Sequence, residues 1–194
     1  MKIPSLNSRN IYWDERFKEG LIYGTKPSKV VRLIVPYIKS SSRILIIGGG
    51  YGRNAAYLAK HGFNVLNTDV SKKAINLGRK IYKNVKNLRF EIEDVFNLKI
   101  KKESFDAVIA IYYLSLFTSD EVDKIFKNIR EIIKNDGKFC ANFLSLDDEE
   151  YGHGKEIKPN TFLYEDGQLV KFYTKEEIRN LFKKHKFKID KIIK

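Results

Sequence analysis

The sequence holds a single cysteine, Cys140, so it has neither a disulfide framework nor a cysteine-based zinc site. It has three histidines and no His-x-x-His pair, so nothing argues for a metal centre. No apolar run approaches membrane-spanning length, and none opens the chain; a soluble, cytoplasmic protein is expected. There is no internal repeat and no low-complexity linker. Acids are also in short supply. Asp and Glu total 24 against 37 Lys and Arg, a formal net charge of +13. A basic surface can steer a protein toward nucleic acid. The basic residues are scattered as well as clustered, however, and the densest run, Lys183 to Lys194, holds a single phenylalanine, Phe187, not aromatics interleaved as base stacking would want. A solvated lysine-rich surface is the favoured reading, with a nucleic-acid partner kept open.

What the chain does have is the stretch RILIIGGGYGRN, Arg43 to Asn54. An apolar, mostly β-branched run, Ile44 to Ile47, stops at Gly48, Gly49, Gly50 and Gly52, and a helix-like segment follows. A strand feeding a glycine turn and a helix start brings bare backbone up to a nucleotide-like ligand. A Cβ would block both the turn and the approach. The spacing is G-x-G-x-G; the dinucleotide fingerprint G-x-G-x-x-G would need glycine at Arg53, so a nicotinamide cofactor loses ground. Asp69 closes the next apolar run, FNVLNTD, where an acid can grip a ribose diol, with Val70 beside it.

Strand-like runs recur at 44–47, 63–68, 88–92, 105–111, 138–144 and 187–193. Helical spacing fills Asn54 to Lys60, Ala74 to Tyr82, Val122 to Ile133 and Ile178 to Lys184. Ser71 and Ser119 suit N-caps, Thr174 with Glu177 reads as a capping box, and Gly62 and Gly137 stand where helices should stop. This alternation predicts an α/β fold of the Rossmann-like, doubly wound kind, a mainly parallel sheet with helices on both faces. The expected organisation is an N-terminal helical cap over residues 1–40 and a cofactor-binding domain over 41–194, together one compact unit.

The motif order resembles that of class I S-adenosylmethionine (SAM) methyltransferases. The glycine loop is similar to their first motif. RFEIEDVF supplies Glu93, Asp94 and Val95 where the family's adenine contacts fall. SFDAVIAIYYL resembles the fourth strand, which ends near the reacting methyl and places Ala110 and Ile111 beside the cofactor. KNDGKFCANFL is similar to the turn into strand five. IYWDERFKEGLIYGTKPSKVV ahead of the domain, with GRN at 52–54 and FYTKEEIRNLF at 172–182, resembles the tellurite-resistance and thiopurine-type small-molecule group. In that group the leading segment caps the cofactor. The resemblance implies that Trp13 and Tyr23 cover SAM, with Arg16 near its carboxylate or an anionic substrate. A plain alternative is that Trp13 and Phe17, at i and i+4, merely pack on the domain. The family's antiparallel seventh strand has no counterpart after Phe187 to Ile193. Strand six would then pair with strand five or leave an edge open for dimerisation.

The expected activity is methyl transfer from SAM to a small-molecule nucleophile, a thiol, chalcogen anion or similar metabolite, leaving S-adenosylhomocysteine. The fourth strand ends AIYYLSLF, without the Asn/Asp-Pro-Pro-Tyr turn of amino-group methylases that act on nucleic-acid bases. Tyr112 or Tyr113 should face the pocket and the other the core, since strand neighbours alternate. Tyr112 and, as a base, His153 are the catalytic candidates. His61 and His185 sit at helix ends and read as structural. An RNA or protein methyltransferase and a non-catalytic SAM sensor stay open as alternatives, and a monomer or weak homodimer is expected.

Overall fold

The computed structural model describes residues 3–193. Helices α1 (Leu6–Arg16) and α2 (Lys29–Ile34) precede the first strand. Then β1 (Arg43–Ile47), α3 (Arg53–Lys60), β2 (Asn64–Asp69), α4 (Lys72–Ile81) and β3 (Leu88–Ile92) alternate. They are followed by β4 (Phe105–Ala110), α5 (Ser119–Ile132) and β5 (Ile133–Ala141). These strands form one parallel sheet in the order β3-β2-β1-β4-β5. Successive side chains of a strand face opposite ways, and β1 shows the consequence. Ile44 and Ile46 enter a core built with Val31 of α2, Ala55 and Leu58 of α3 and Ile75 of α4. Leu45 and Ile47 enter a second core with Ile125, Phe126 and Ile129 of α5, against which Phe182 packs. A strand buried on both sides needs the continuous apolar run that Ile44 to Ile47 provides.

The chain corrects the expected sixth strand. Residues 187–193 form no strand; Phe187 instead packs among Phe126, Phe139 and Phe182, and Asp190 pairs with Lys138 of β5. The tail is held by side chains, not by a backbone ladder, and the sheet has five strands. Lys194 lies outside the described residues. A second, four-stranded sheet lies outside the expected strands: β6 (Leu144–Ser145), β7 (Lys155–Lys158), β8 (Thr161–Leu163) and β9 (Leu169–Tyr173), ordered β6-β9-β8-β7. Helix α6 (Lys175–Lys184) closes the fold, opened by the expected Thr174–Glu177 capping box. Ser71 caps α4 as expected, but α5 is capped by Thr118 with Glu121, one residue before Ser119. Gly137 stops no helix. It lies within β5, where a Cβ would stand 2.6 Å from Ile133 Cγ1, and α5 has already ended at Ile132.

No helix among the described residues is long and apolar enough to cross a membrane.

Candidate functional site

The sheet order reverses between β1 and β4, and the carboxyl ends of these two strands frame the crevice where open α/β sheets take ligands. Gly48 to Gly52 lead from β1 into α3 along this crevice. Gly48 and Gly50 take φ of +61° and +56°, the left-handed region that costs a residue with a Cβ. The loop is tied to β2 at three successive residues. Asn67 Nδ2 donates to the Gly50 carbonyl at 3.0 Å, the Gly49 amide donates to the Thr68 carbonyl at 2.9 Å, and the Gly50 amide donates to Asp69 Oδ2 at 2.8 Å. The other Asp69 oxygen accepts from the Ser71 amide at 2.9 Å. Burial pushes the Asp69 carboxyl above its ordinary value, opposed by the amides of Ser71, Gly50 and Val70. A carboxylate has about four acceptor positions, so this one can hold the loop and still accept from a diol.

After β3, the Glu93 amide donates to the Asp69 carbonyl at 3.2 Å, which sets this turn beside the end of β2. Asp94 Oδ1 accepts from the Phe96 amide at 2.9 Å, and buried Val95 offers its carbonyl to Asn128 Nδ2 at 2.8 Å. Ala110 and Ile111 are buried at the end of β4. The strand stops there, so alternation no longer governs the two tyrosines. Tyr112 takes φ of +53°, is 52% exposed rather than in the core, and donates its amide to Asn142 Oδ1 at 2.7 Å. Tyr113 lies over the loop: a Cβ on Gly48 would fall 1.9 Å from its Cδ2. Burial, together with the charges of Asp69 and Asp94, raises its phenol well above the ordinary value.

The segment ahead of β1 covers the same loop. Trp13 and Phe17 cluster with Tyr51 and Ala74, and a Cβ on Gly50 would fall 3.0 Å from Phe17 Cζ. Asp14 Oδ1 accepts from Ser71 Oγ at 2.7 Å and from the Lys73 amide at 3.0 Å, which seats α1 on the start of α4 next to Asp69. Arg9 donates to the Leu116 carbonyl at 3.0 Å and pairs with Glu121, so α1 also reaches the β4 side. Tyr12 donates to Asp166 of the β8–β9 turn at 2.7 Å. Arg53 and Asn54 serve this cover. Arg53 donates to the carbonyls of Tyr23 and Lys26, and Asn54 Oδ1 accepts from the Ser28 amide. Tyr51 donates to the Gly24 carbonyl and accepts from the Tyr23 amide. Arg16 is occupied at the surface with Glu19, 3.1 Å away. His153 sits in an exposed turn after β6, its Nδ1 3.2 Å from Glu150 Oε2. His61 and His185 cap α3 and α6. Among the described residues no cluster of His, Cys, Asp and Glu could hold a metal ion.

Asp14, Arg9, Asn67 and Asn142 are the site residues that sequence reasoning passed over. Asn67 alone gave a signal, an amide inside an apolar run that must find partners when buried. Its Oδ1, against Gly49, has none among the described residues.

Residues 44–137 match the family described as "Methyltransferase domain". The chain is 23% identical over 202 residues to the tRNA(Thr) (cytosine(32)-N(3))-methyltransferase of Saccharomyces cerevisiae, covering 93% of this chain and 32% of that protein. It is 31% identical over 123 residues to EEF1A lysine methyltransferase 2 of Danio rerio, covering 55% and 53%. It thus spans about a third to a half of the length of these relatives. The structure of Burkholderia thailandensis 1,6-didemethyltoxoflavin-N1-methyltransferase with bound S-adenosylhomocysteine superposes with a TM-score of 0.74 at 17% identity, over 95% of this chain and 80% of that one. The fold is the Rossmann-like class I methyltransferase fold, and just under half of the chain matches a methyltransferase domain.

Proposed function

We propose that the protein transfers a methyl group from SAM to a compact nucleophile that enters beneath the α1 cover, with a small metabolite such as a thiol or chalcogen anion as the leading acceptor. The observation that carries this reading is the Gly50–Asp69 bond under two aromatic rings. A backbone bare of Cβ, an acid at the end of β2 and acids after β3 suit the methionine, ribose and adenine parts of that cofactor. When bound, SAM supplies a methyl on a positively charged sulfur, which passes to the acceptor as the carbon–sulfur bond breaks and S-adenosylhomocysteine leaves.

The chain's own residues hold and shield. Gly48, Gly49, Gly50 and Gly52 present backbone, Asp69 and Val70 face the ribose, Glu93, Asp94 and Val95 face the adenine, and Ala110 and Ile111 floor the crevice. Trp13, Tyr23, Arg16, Arg53 and Asn54 belong to the cover or fix it. A closed cover aligns the reactants and excludes water, which is most of what an in-line displacement needs. Tyr112, exposed at the crevice edge, is proposed to contact the acceptor, with His153 as a base for acceptors that arrive protonated. The tellurite and thiopurine resemblance supports soft acceptors.

A second reading, a macromolecule that presents the nucleophile, is favoured by one observation, the uneven placement of charge taken up below. Radioactive SAM offered to a thiol and chalcogenide panel, and separately to total RNA and protein, tests both. Labelled small product that falls at least tenfold with Tyr112→Ala supports the first. Label confined to a polymer replaces it with the second.

A further inference from the structure

The net charge is not spread over the molecule. Residues 20–90 contain fourteen of the 37 Lys and Arg but one of the 24 acids, Asp69; the other twenty-three cations and twenty-three acids cancel, so this stretch carries the whole +13. The one acid is buried beneath the glycine loop. The fold then gathers the stretch on one side. Helices α2, α3 and α4 lie together on the sheet face lined by Ile44 and Ile46, whereas α5 and the rings of α6 lie on the opposite face.

On α4 the outward residues Lys72, Lys73, Asn76, Arg79 and Lys80 share an arc of about 120° at 3.6 residues per turn, and none is acidic. Lys83 and Lys86 extend the row, and Lys29 and Arg32 on α2 and Lys60 at the end of α3 are exposed. Of the stretch, only Lys73 makes an ion pair among the described residues, with Asp14 and Glu15. Glu91, two residues after Arg89 on β3, marks its edge. The Lys183–Lys191 run leaves Lys183, Lys186 and Lys188 exposed but places acids among its cations. Lys184 and His185 meet Asp123, Asp190 meets Lys138, and Lys191 donates to the Tyr37 hydroxyl.

We propose that the α2–α3–α4 face is a docking surface for the phosphodiester backbone of a nucleic acid. A field of exposed cations whose acids, Asp14 and Glu15 at Lys73 and Glu91 beyond Arg89, stand only at its margins fits a ligand whose charge repeats along its length. Both α3 and α4 begin at the crevice, at Arg53 and Lys72, so a strand held on this face reaches the mouth of the proposed methyl-transfer site. An anionic membrane surface fits less well, because an interfacial helix must offer an apolar face to the lipid and that of α4, Ala74, Ile75 and Gly78, is buried. For its biological use this inference rests on the second reading above; the binding itself does not.

The test is fluorescence anisotropy of a labelled single-stranded RNA of about 20 nucleotides, titrated across roughly 50 to 200 mM salt. The variant Lys60→Gln, Lys80→Gln, Lys83→Gln is compared with Lys124→Gln, Lys127→Gln, Lys183→Gln, which removes equal charge from exposed positions elsewhere. Lost contacts to three phosphates should flatten the log–log salt slope by about 2 and weaken binding at least tenfold in the first variant, with the second near wild type. A matched single-stranded DNA is expected to respond in parallel. Equal loss in both variants, an unchanged first variant, or binding to phosphatidylserine vesicles but not to RNA overturns the proposal. Calorimetric SAM binding by the same samples reports folding and the cofactor site separately, so failure here and failure of the methyltransferase reading are distinguishable.

Discussion

The Gly50 amide donates to Asp69 Oδ2 across 2.8 Å, and the Asp69 carboxylate thereby fastens the loop after β1 to the end of β2. One side chain closes the crevice floor and offers its remaining lone pairs to a ligand. The cover meets it within one residue, because Ser71, whose amide binds the same carboxylate, donates its hydroxyl to Asp14 of α1. Loop, acid and cover form one connected unit.

Gly48→Ala is expected to destabilise the fold and abolish cofactor binding, since the new methyl would fall 1.9 Å from Tyr113 Cδ2. In a Tyr113→Ala background the same change should cost only the left-handed backbone strain, about 1–2 kcal/mol. Urea unfolding of the four proteins of this cycle measures the coupling. Equal cost in both backgrounds would show that Tyr113 does not rest on the loop.

The Arg9–Glu121 pair makes the cover acid-sensitive. Burial opposes ionisation of Glu121, but Arg9 and the Thr118 amide outweigh it and hold the carboxyl below its ordinary value. A depressed carboxyl contributes stability that is present above the unfolded value and is lost as pH falls through the folded one. Trp13, the only tryptophan, should therefore report loosening of α1 below about pH 4. Arg9→Ala leaves the Glu121 carboxylate without its cation and should cost about 3 kcal/mol, with the fluorescence change already present at neutral pH.

Much of this was legible in the sequence, and particular residues show where legibility ended. Ile44 to Ile47 with the glycines could be read because a buried parallel strand and a bare loop each demand a composition few other structures use. Residues 187–193 could not, because Phe187 packs as a strand residue would while its amide turns back to the Phe182 carbonyl instead of joining a ladder. The β8–β9 hairpin has short strands buried at every position, so no alternation marked it, although Asp166–Gly167 was a turn signal. At the site, Asp69 was placed by spacing. Asp14 and Arg9 act across more than fifty residues of chain, and a charged residue on a helix looks the same in sequence whether it meets water or a partner.

Burial pushes the Cys140 thiol up to about 11, which leaves roughly one part in a thousand as thiolate at pH 8. Alkylation by iodoacetamide at that pH should be at least tenfold slower than for a free thiol, and should reach the free rate in denaturant. Fast labelling of the folded protein would count against the placement of this residue in β5.

The most direct test of the central claim is calorimetric titration with SAM, S-adenosylhomocysteine and NAD, using wild type and Asp69→Ala. The account predicts micromolar binding of the two SAM-type ligands, their loss in the variant, and no heat from NAD. Binding of NAD alone, or SAM binding indifferent to Asp69, would contradict it.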